Sequence, residues 1–336
     1  MTTPRVGEPV RPAGATGGPR PTSDLSRIGG RARTEARPGP GPIADNLVRQ
    51  LELTLDRRVG GRMSGDHLGV GQGAGFELDR LRPYEPGDDV RKIDWNATAR
   101  TLMPQVREDV PDRQLTAWLM IDHSPSMNFG TADRRKADVA EGAALVVGRF
   151  AARRGNRLGI IAFGAGREDV TPPKGGSRGM LGLIRAIATE PAEDGGGETS
   201  PARALAVVAA IRTTPGVVVI VSDFRGPRDW VPALTEVAGR HAVIALEIVD
   251  PREESLVDVG ELTLIDPETG RTLRVDTGDR RLRTAFDEAA AADRSSLARE
   301  FRRLGIRHLR LSTDGPWLPA LAQGFTRNPN RTGRPA

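Results

Sequence analysis

Between Leu119 and Gly130 the chain reads LMIDHSPSMNFG, which puts Asp122, Ser124 and Ser126 at alternate positions where an apolar run stops. Three chemistries suit these residue types: a cation held by oxygen atoms, a serine nucleophile, or a turn in which Asp and Ser cap the next helix. Taken alone, the string favours the capped turn. Two distant stretches alter that balance. Thr199 opens the helical run PARALAVVAAI after the cluster GGGE, and Asp223 ends the apolar run VVVIVS. If all three segments end at one edge of a sheet, two carboxylates and three hydroxyls converge there. An all-oxygen set of this kind suits a hard cation, Mg²⁺ or Mn²⁺, and not zinc or copper. Neutral hydroxyl ligands leave such an ion much of its charge, so one open position would accept an acidic group from outside.

The elements that must position these residues are legible from Leu115 onward. The runs LTAWLMI, RLGIIAFG, GVVVIVSDF, HAVIALEIVD and IRHLRLST have strand length. Amphipathic helical segments separate them, over 133–154, 178–190, 199–212, 229–239 and 280–304. The alternation predicts an α/β fold, a doubly wound and mostly parallel sheet covered on both faces. In such sheets ligands bind outside the carboxyl ends of the strands, where strand order reverses. One stretch breaks the alternation: ELTLIDPETGRTLRVDT, residues 261–277, reads as an inserted β-hairpin. The expected organisation is a disordered Pro/Gly/Arg-rich tail over 1–42, an N-terminal extension over 43–114, the α/β domain over 115–326 and a second disordered tail over 327–336. In the extension, Ile43, Leu47, Leu51, Leu55 and Val59 share one helical face that Gly60-Gly61 ends.

Asp122-x-Ser124-x-Ser126 followed by Thr199 and Asp223, on alternating strands and helices, resembles the metal-ion-dependent adhesion site of von Willebrand factor A-type domains. That resemblance implies a Rossmann-type sheet in which Ser124 and Ser126 ligate the metal directly, Thr199 does so conditionally, and Asp122 and Asp223 act mostly through water. A partner's carboxylate completes the shell. Two loops depart from the family pattern. Glu198-Thr199-Ser200 stands where Gly-Thr-Asp is frequent, and Ser222-Asp223-Phe224 where Thr-Asp-Gly is usual.

The segment RPYEPGDDVRKIDWNATAR, residues 82–100, resembles the signature of the bacterial domain-of-unknown-function family numbered 58. There a PGDD-x-R-x-IDW stretch precedes a von Willebrand A-like domain. The resemblance implies a partner, because members commonly accompany MoxR-type AAA+ ATPases in systems thought to assist maturation of other proteins. Read physically, the segment admits two roles. Asp88, Asp89, Arg91, Asp94 and Trp95 could form a docking surface for that ATPase or its client. Alternatively, Pro86-Gly87 turns the chain, Asp88 or Asp89 caps the turn, and Trp95 packs on the main domain.

Composition bounds the remaining choices. The absence of cysteine excludes disulfides, thiolate metal sites and a Cys nucleophile. The net charge of +5 resides in the two ends, with seven Arg against three acids in residues 1–42 and three Arg with no acid in residues 327–336. The residues between carry a small negative charge, which argues against nucleic acid as a partner. No signal-peptide core and no membrane-spanning run is visible, so the expected location is cytoplasmic. The GVGQGAG stretch at 69–75 neither follows a clear strand nor opens a helix, and reads as a flexible loop. His123 lies between ligand-type positions and is expected to point away from them. No lysine sits in a Walker setting, so ATP hydrolysis would belong to a partner.

The leading expectation is a non-enzymatic binding protein, with two alternatives. One is a hydrolase, because GGSRG at 175–179 fits G-x-S-x-G and Ser177, Asp223 and His241 follow in hydrolase order. The prolines of TPPKGG argue against the buried strand that such an elbow needs. The other is a metal-free structural or regulatory α/β protein.

Overall fold

A computed structural model describes residues 38–46, 48–49, 80–108, 115–152, 156–164, 166–195, 197, 199–211 and 215–326. The tails at 1–37 and 327–336 lie outside the described residues. So do the GVGQGAG loop, Glu198 and most of the helix expected from Ile43. Of that helix, residues 45–46 and 48–49 are helical, and Val48 is buried in the main core. The expected tail does not run as far as residue 42: Trp317 Nε1 donates to the Pro40 carbonyl at 2.8 Å.

Four strands rich in Val, Ile and Leu form the centre of the sheet: β3 (Thr116–Asp122), β4 (Arg157–Gly164), β6 (Val217–Ser222) and β7 (Ala242–Val249). All seven residues of β3 and all six of β6 are buried, which is why neither shows the polar alternation of a half-exposed strand. With β5 (Arg167–Gly175) and β10 (Arg307–Ser312), they make a six-stranded sheet in the order β10-β7-β6-β3-β4-β5. All neighbours are parallel except β4 and β5. Pro172 and Pro173 lie on β5, and its place at the sheet edge is what tolerates two residues without an N–H.

Side-chain alternation along β3 divides the interior in two. Ala117, Leu119 and Ile121 pack with helices α2 (Lys136–Ala152), α3 (Gly176–Ile187) and α7 (Trp317–Thr326). Trp118 and Met120 face α4 (Ala202–Ala210), α5 (Val231–Arg240) and α6 (Arg280–Arg303) on the other side. This is the doubly wound α/β arrangement that the alternation of runs predicts. Chain order reverses between β3 and β6, so their carboxyl ends flank the crevice where ligands bind in open sheets.

Two small sheets accompany the large one. The strands β8 (Glu261–Ile265) and β9 (Thr272–Asp276) form the expected hairpin. In the extension, β1 (Arg80–Pro83) pairs antiparallel with β2 (Gln105–Glu108), and helix α1 (Trp95–Thr101) lies between them.

Candidate functional site

Asp122 is the last residue of β3 and Asp223 follows the last residue of β6, so the two neighbouring strands deliver their carboxylates to one place. The 3-10 turn Pro125–Asn128 then directs the backbone after Ser124. Asp122, Ser124, Ser126, Thr199 and Asp223 are all buried.

Hydrogen bonds join these residues into one cluster. Asp122 Oδ1 accepts from the Ser124 N–H at 2.8 Å, and its Oδ2 from the Ser222 hydroxyl at 2.5 Å. The Ser124 and Ser126 hydroxyl oxygens lie 3.0 Å apart. Ser126 also bonds Asp223 through its side chain, and Thr199 reaches the cluster by donating to Glu268. Asp223 Oδ1 accepts from the Arg225 N–H at 3.0 Å. All five residues singled out in the sequence therefore meet at one edge of the sheet.

Three further side chains at the site carried no signal strong enough to find them. Lys136, the first residue of α2, is fully buried and donates to Asp223 Oδ2 and to Glu253 Oε1, both at 2.6 Å. It is one of only three lysines among 49 basic residues, and that rarity was its one visible mark. Glu268, at the tip of the β8–β9 hairpin, accepts from the Ser126 N–H at 3.3 Å through Oε1. Ser222 links the ends of the two central strands through Asp122.

The electrostatics follow from burial and neighbours. Burial, then the Asp223 charge, pushes the Asp122 carboxyl up to about 7 against the hydrogen bonds from Ser222 and Ser124. Burial also acts to raise Asp223, but the Lys136 ammonium, together with hydrogen bonds from the Arg225 N–H and the Ser126 hydroxyl, holds that carboxyl below the usual range. Glu268 is raised, first by burial and further by Asp223, against hydrogen bonds from Ser126 and Thr199. Crowded carboxylates of this kind are what a cation would relieve. Among the described residues no three His, Cys, Asp or Glu side chains gather as a cage, so a cation here would rest on hydroxyls. Among the described residues Glu268 Oε2 is buried with no hydrogen-bond partner, and the Ser124–Ser126 pair supplies two hydroxyl oxygens side by side. The donor set fits Mg²⁺ or Mn²⁺.

The departure at Phe224 has a structural reason. Phe224 adopts φ 53°, a left-handed conformation that glycine takes without cost, and its ring packs 5.1 Å from Phe301 and 6.0 Å from Trp230. Gly164, at the end of β4, sits so close to the first loop that a Cβ there would lie 2.6 Å from the His123 carbonyl carbon. His123 lines a small cleft with Glu141, Ile187 and Pro191.

The hydrolase triad does not assemble. Ser177 is exposed in the first turn of α3, after an edge strand. His241 precedes β7 and its Nδ1 accepts from the Gly216 N–H at the amino ends of the strands, opposite the carboxyl edge that carries Asp223.

The acidic residues of the extension have local tasks. Asp88 holds Arg82 with bonds of 2.7 and 2.5 Å and accepts from the Glu85 N–H at 2.8 Å. Asp89 accepts from the Arg91 N–H at 2.9 Å, and Asp94 caps α1 through the Asn96 and Ala97 N–H groups, both at 2.9 Å. Arg91 is exposed. Trp95 is 70% exposed, so of the two roles it does not take the one in which it packs on the main domain: as the first residue of α1 it stands on the side opposed to buried Ala97.

Residues 80–296 match the model of the family described as "Protein of unknown function DUF58". Uncharacterized proteins of Mycobacterium bovis and Mycobacterium tuberculosis are each 42% identical over 272 residues, covering 81% of this chain and 85% of theirs. Among solved structures, the conserved hypothetical protein BatB from Bacteroides thetaiotaomicron aligns with a TM-score of 0.40 at 14% identity, over 63% of this chain and 97% of that one. A von Willebrand factor type A structure from Catenulispora acidiphila aligns with a TM-score of 0.37 at 16% identity, over 63% of this chain and 41% of that one. Matched by the family model from 80 to 296 and by relatives over most of its length, the chain belongs to the DUF58 family of unknown function.

Proposed function

We propose that this chain is a non-enzymatic protein-binding module in which Ser124, Ser126 and Thr199 hold Mg²⁺ or Mn²⁺ for a carboxylate of a partner protein. Asp122 and Asp223 supply negative charge through water and position the serines. The observation that carries the reading is the meeting of all five residues at the carboxyl ends of β3 and β6. When bound, the cation would supply a directional attraction for an acidic side chain. The protein's own part is to fix the hydroxyls in place: Asp122 pins the Ser124 backbone, and Asn128 ties the loop to the Ala192 carbonyl at 2.9 Å. The resemblance of residues 82–100 adds a MoxR-type AAA+ ATPase, or that ATPase's client, as the partner. Exposed Trp95, with Val90, Leu102 and Met103 also exposed, is where the extension offers apolar surface.

Thermal unfolding with and without Mg²⁺ or Mn²⁺ tests the site in wild type, Ser124→Ala and Asp122→Ala. A ligand at a hundred times its Kd stabilises by about 2.7 kcal/mol, so a clear upward shift is expected in wild type and not in the variants. An unchanged wild-type melting temperature at millimolar metal rejects the reading. Affinity purification of the ATPase with and without EDTA tests the bridge: capture that persists in chelator contradicts it.

One observation favours a second reading, a metal-free module. The Lys136 ammonium already stands against Asp223 and supplies positive charge at the cluster. Under that reading the hydroxyls serve only the loop's hydrogen bonds, and metal leaves the melting temperature unchanged.

A further inference from the structure

The β8–β9 hairpin is built to deliver one side chain. Its tip is a preset turn: Asp266 N–H donates to the Arg271 carbonyl at 2.8 Å, Gly270 N–H to the Asp266 carbonyl at 2.8 Å, and the Thr269 hydroxyl to Asp266 Oδ2 at 2.5 Å. The Asp266 carboxylate also takes the Glu268 N–H at 3.1 Å. This rigid tip is clamped onto the loop that carries Thr199, with Gly195 N–H donating to the Pro267 carbonyl at 2.7 Å and Gly197 N–H to the Glu268 carbonyl at 3.0 Å.

Away from its tip and base the hairpin is sparsely packed. It is a separate two-stranded sheet, and Leu273 and Ile265 are 62% and 38% exposed. Its base is fixed by Thr277, which is fully buried, donates to the Gly260 carbonyl at 2.7 Å and accepts from the Val259 N–H at 2.9 Å. An isolated two-stranded hairpin is marginal by itself, so tip contacts weigh heavily in where it rests. Those contacts aim a carboxylate at Ser126 and Thr199, and among the described residues its Oε2 is buried with no hydrogen-bond partner, in the field of the Asp223 charge. Burying an unpaired carboxylate oxygen is costly unless something positive meets it.

Resting on the proposed cation site, we infer that Glu268 is a tethered ligand that completes the cation's shell from within the chain. It stands where a partner's carboxylate would bind. A partner then engages the site by replacing Glu268 and freeing the hairpin tip, so the chain discriminates against weak acidic ligands, which must outcompete a carboxylate held at high local concentration. The specificity is for a carboxylate offered on a protruding segment able to enter beside Ser126 and Thr199.

The test is Mn²⁺ titration of the full chain, followed by paramagnetic resonance of the free ion, for wild type, Glu268→Gln and Ser124→Ala. Each is measured with and without sodium acetate. Loss of a carboxylate ligand should weaken Mn²⁺ binding roughly tenfold or more in Glu268→Gln. Acetate should recover most of that loss in the variant and leave wild type unchanged, and Ser124→Ala should lose binding with or without acetate. Equal or tighter Mn²⁺ binding by Glu268→Gln, with Ser124→Ala still defective, overturns the role of Glu268 and leaves the cation site standing. No binding by either wild type or Glu268→Gln overturns both. A measurement that needs no variant is amide exchange in wild type. The Gly195 and Gly197 amides should exchange more slowly when Mn²⁺ is added, and unchanged exchange at saturating Mn²⁺ refutes the tether.

Discussion

Replacing Lys136 with methionine removes an ammonium and keeps nearly the same side-chain length, so the packing of α2 is preserved while two acids lose their shared partner. The Lys136 side chain is fully buried, and those of Asp223 and Glu253 are 3% and 18% exposed. Glu253 has an alternative in Arg225, whose Nη2 lies 3.8 Å from it, and it can turn toward water. Asp223 has no such exit. Breaking a buried pair by deleting one member costs about 3–5 kcal/mol, and the freedom of Glu253 places this case near about 3 kcal/mol. Urea unfolding should show a lower midpoint with the slope unchanged, because the surface exposed on unfolding is the same. At roughly 2–4 °C per kcal/mol for a domain of this size, the melting temperature should fall by roughly 6–12 °C. Adding Asp223→Asn to Lys136→Met should recover part of the loss, with a coupling of about 0.5–3 kcal/mol in the double-mutant cycle. A loss below about 1 kcal/mol, or strictly additive effects, would refute the view that this ammonium is what makes a buried Asp223 tolerable.

Four other substitutions probe different parts of the structure. Asp250 is fully buried and accepts from the Thr131 N–H and hydroxyl, the Thr313 hydroxyl and the Arg252 N–H, at 2.6–2.9 Å. Although burial acts to raise it, those bonds hold its carboxyl below the usual value of 3.8. Its contribution is therefore present above the unfolded-state value and disappears as pH falls through the lower folded-state value. Asp250→Asn should cost about 1–3 kcal/mol at neutral pH and flatten the acid limb of a stability–pH curve, and an unchanged acid limb contradicts the assignment. Gly164→Ala should cost about 1–3 kcal/mol by pushing a methyl into the His123–Ser124 backbone, and should weaken Mn²⁺ binding in the same titration. In the extension, Asp94→Ala should cost about 1 kcal/mol through loss of the α1 cap, while Trp95→Ala should stay within about 0.5 kcal/mol. Denaturation midpoints that rank these two the other way would show that Trp95 packs in solution.

Much of the fold was legible because its strands and helices carry strong local patterns. β3 and β6 are continuous apolar runs of strand length, and the intervening helices show the longer period, so a parallel, doubly wound sheet follows without any knowledge of contacts. The edge strand β5 was not legible. REDVTPPKG has neither an apolar run nor a clean alternation, and only pairing with β4 makes it a strand. The acids of PGDDVRKIDW could be read equally as a docking face or as turn chemistry. Asp88, Asp89 and Asp94 do make turn and cap bonds, which residue types alone do not reveal because a cap depends on backbone N–H direction.

The site divides in the same way. Sequence alone determined that Asp122, Ser124, Ser126, Thr199 and Asp223 would gather, because each stands at the end of a recognisable strand or the start of a recognisable helix and parallel strands share one carboxyl edge. Tertiary structure alone decided what surrounds them. Lys136, Glu253 and Glu268 lie 87 residues before, 30 after and 45 after Asp223 in the chain, on elements with no chemical motif, and they reach the cluster only through packing. Local patterns encode where a strand ends; the charge environment at that end is a sum over distant side chains, and it exists only once the chain has folded.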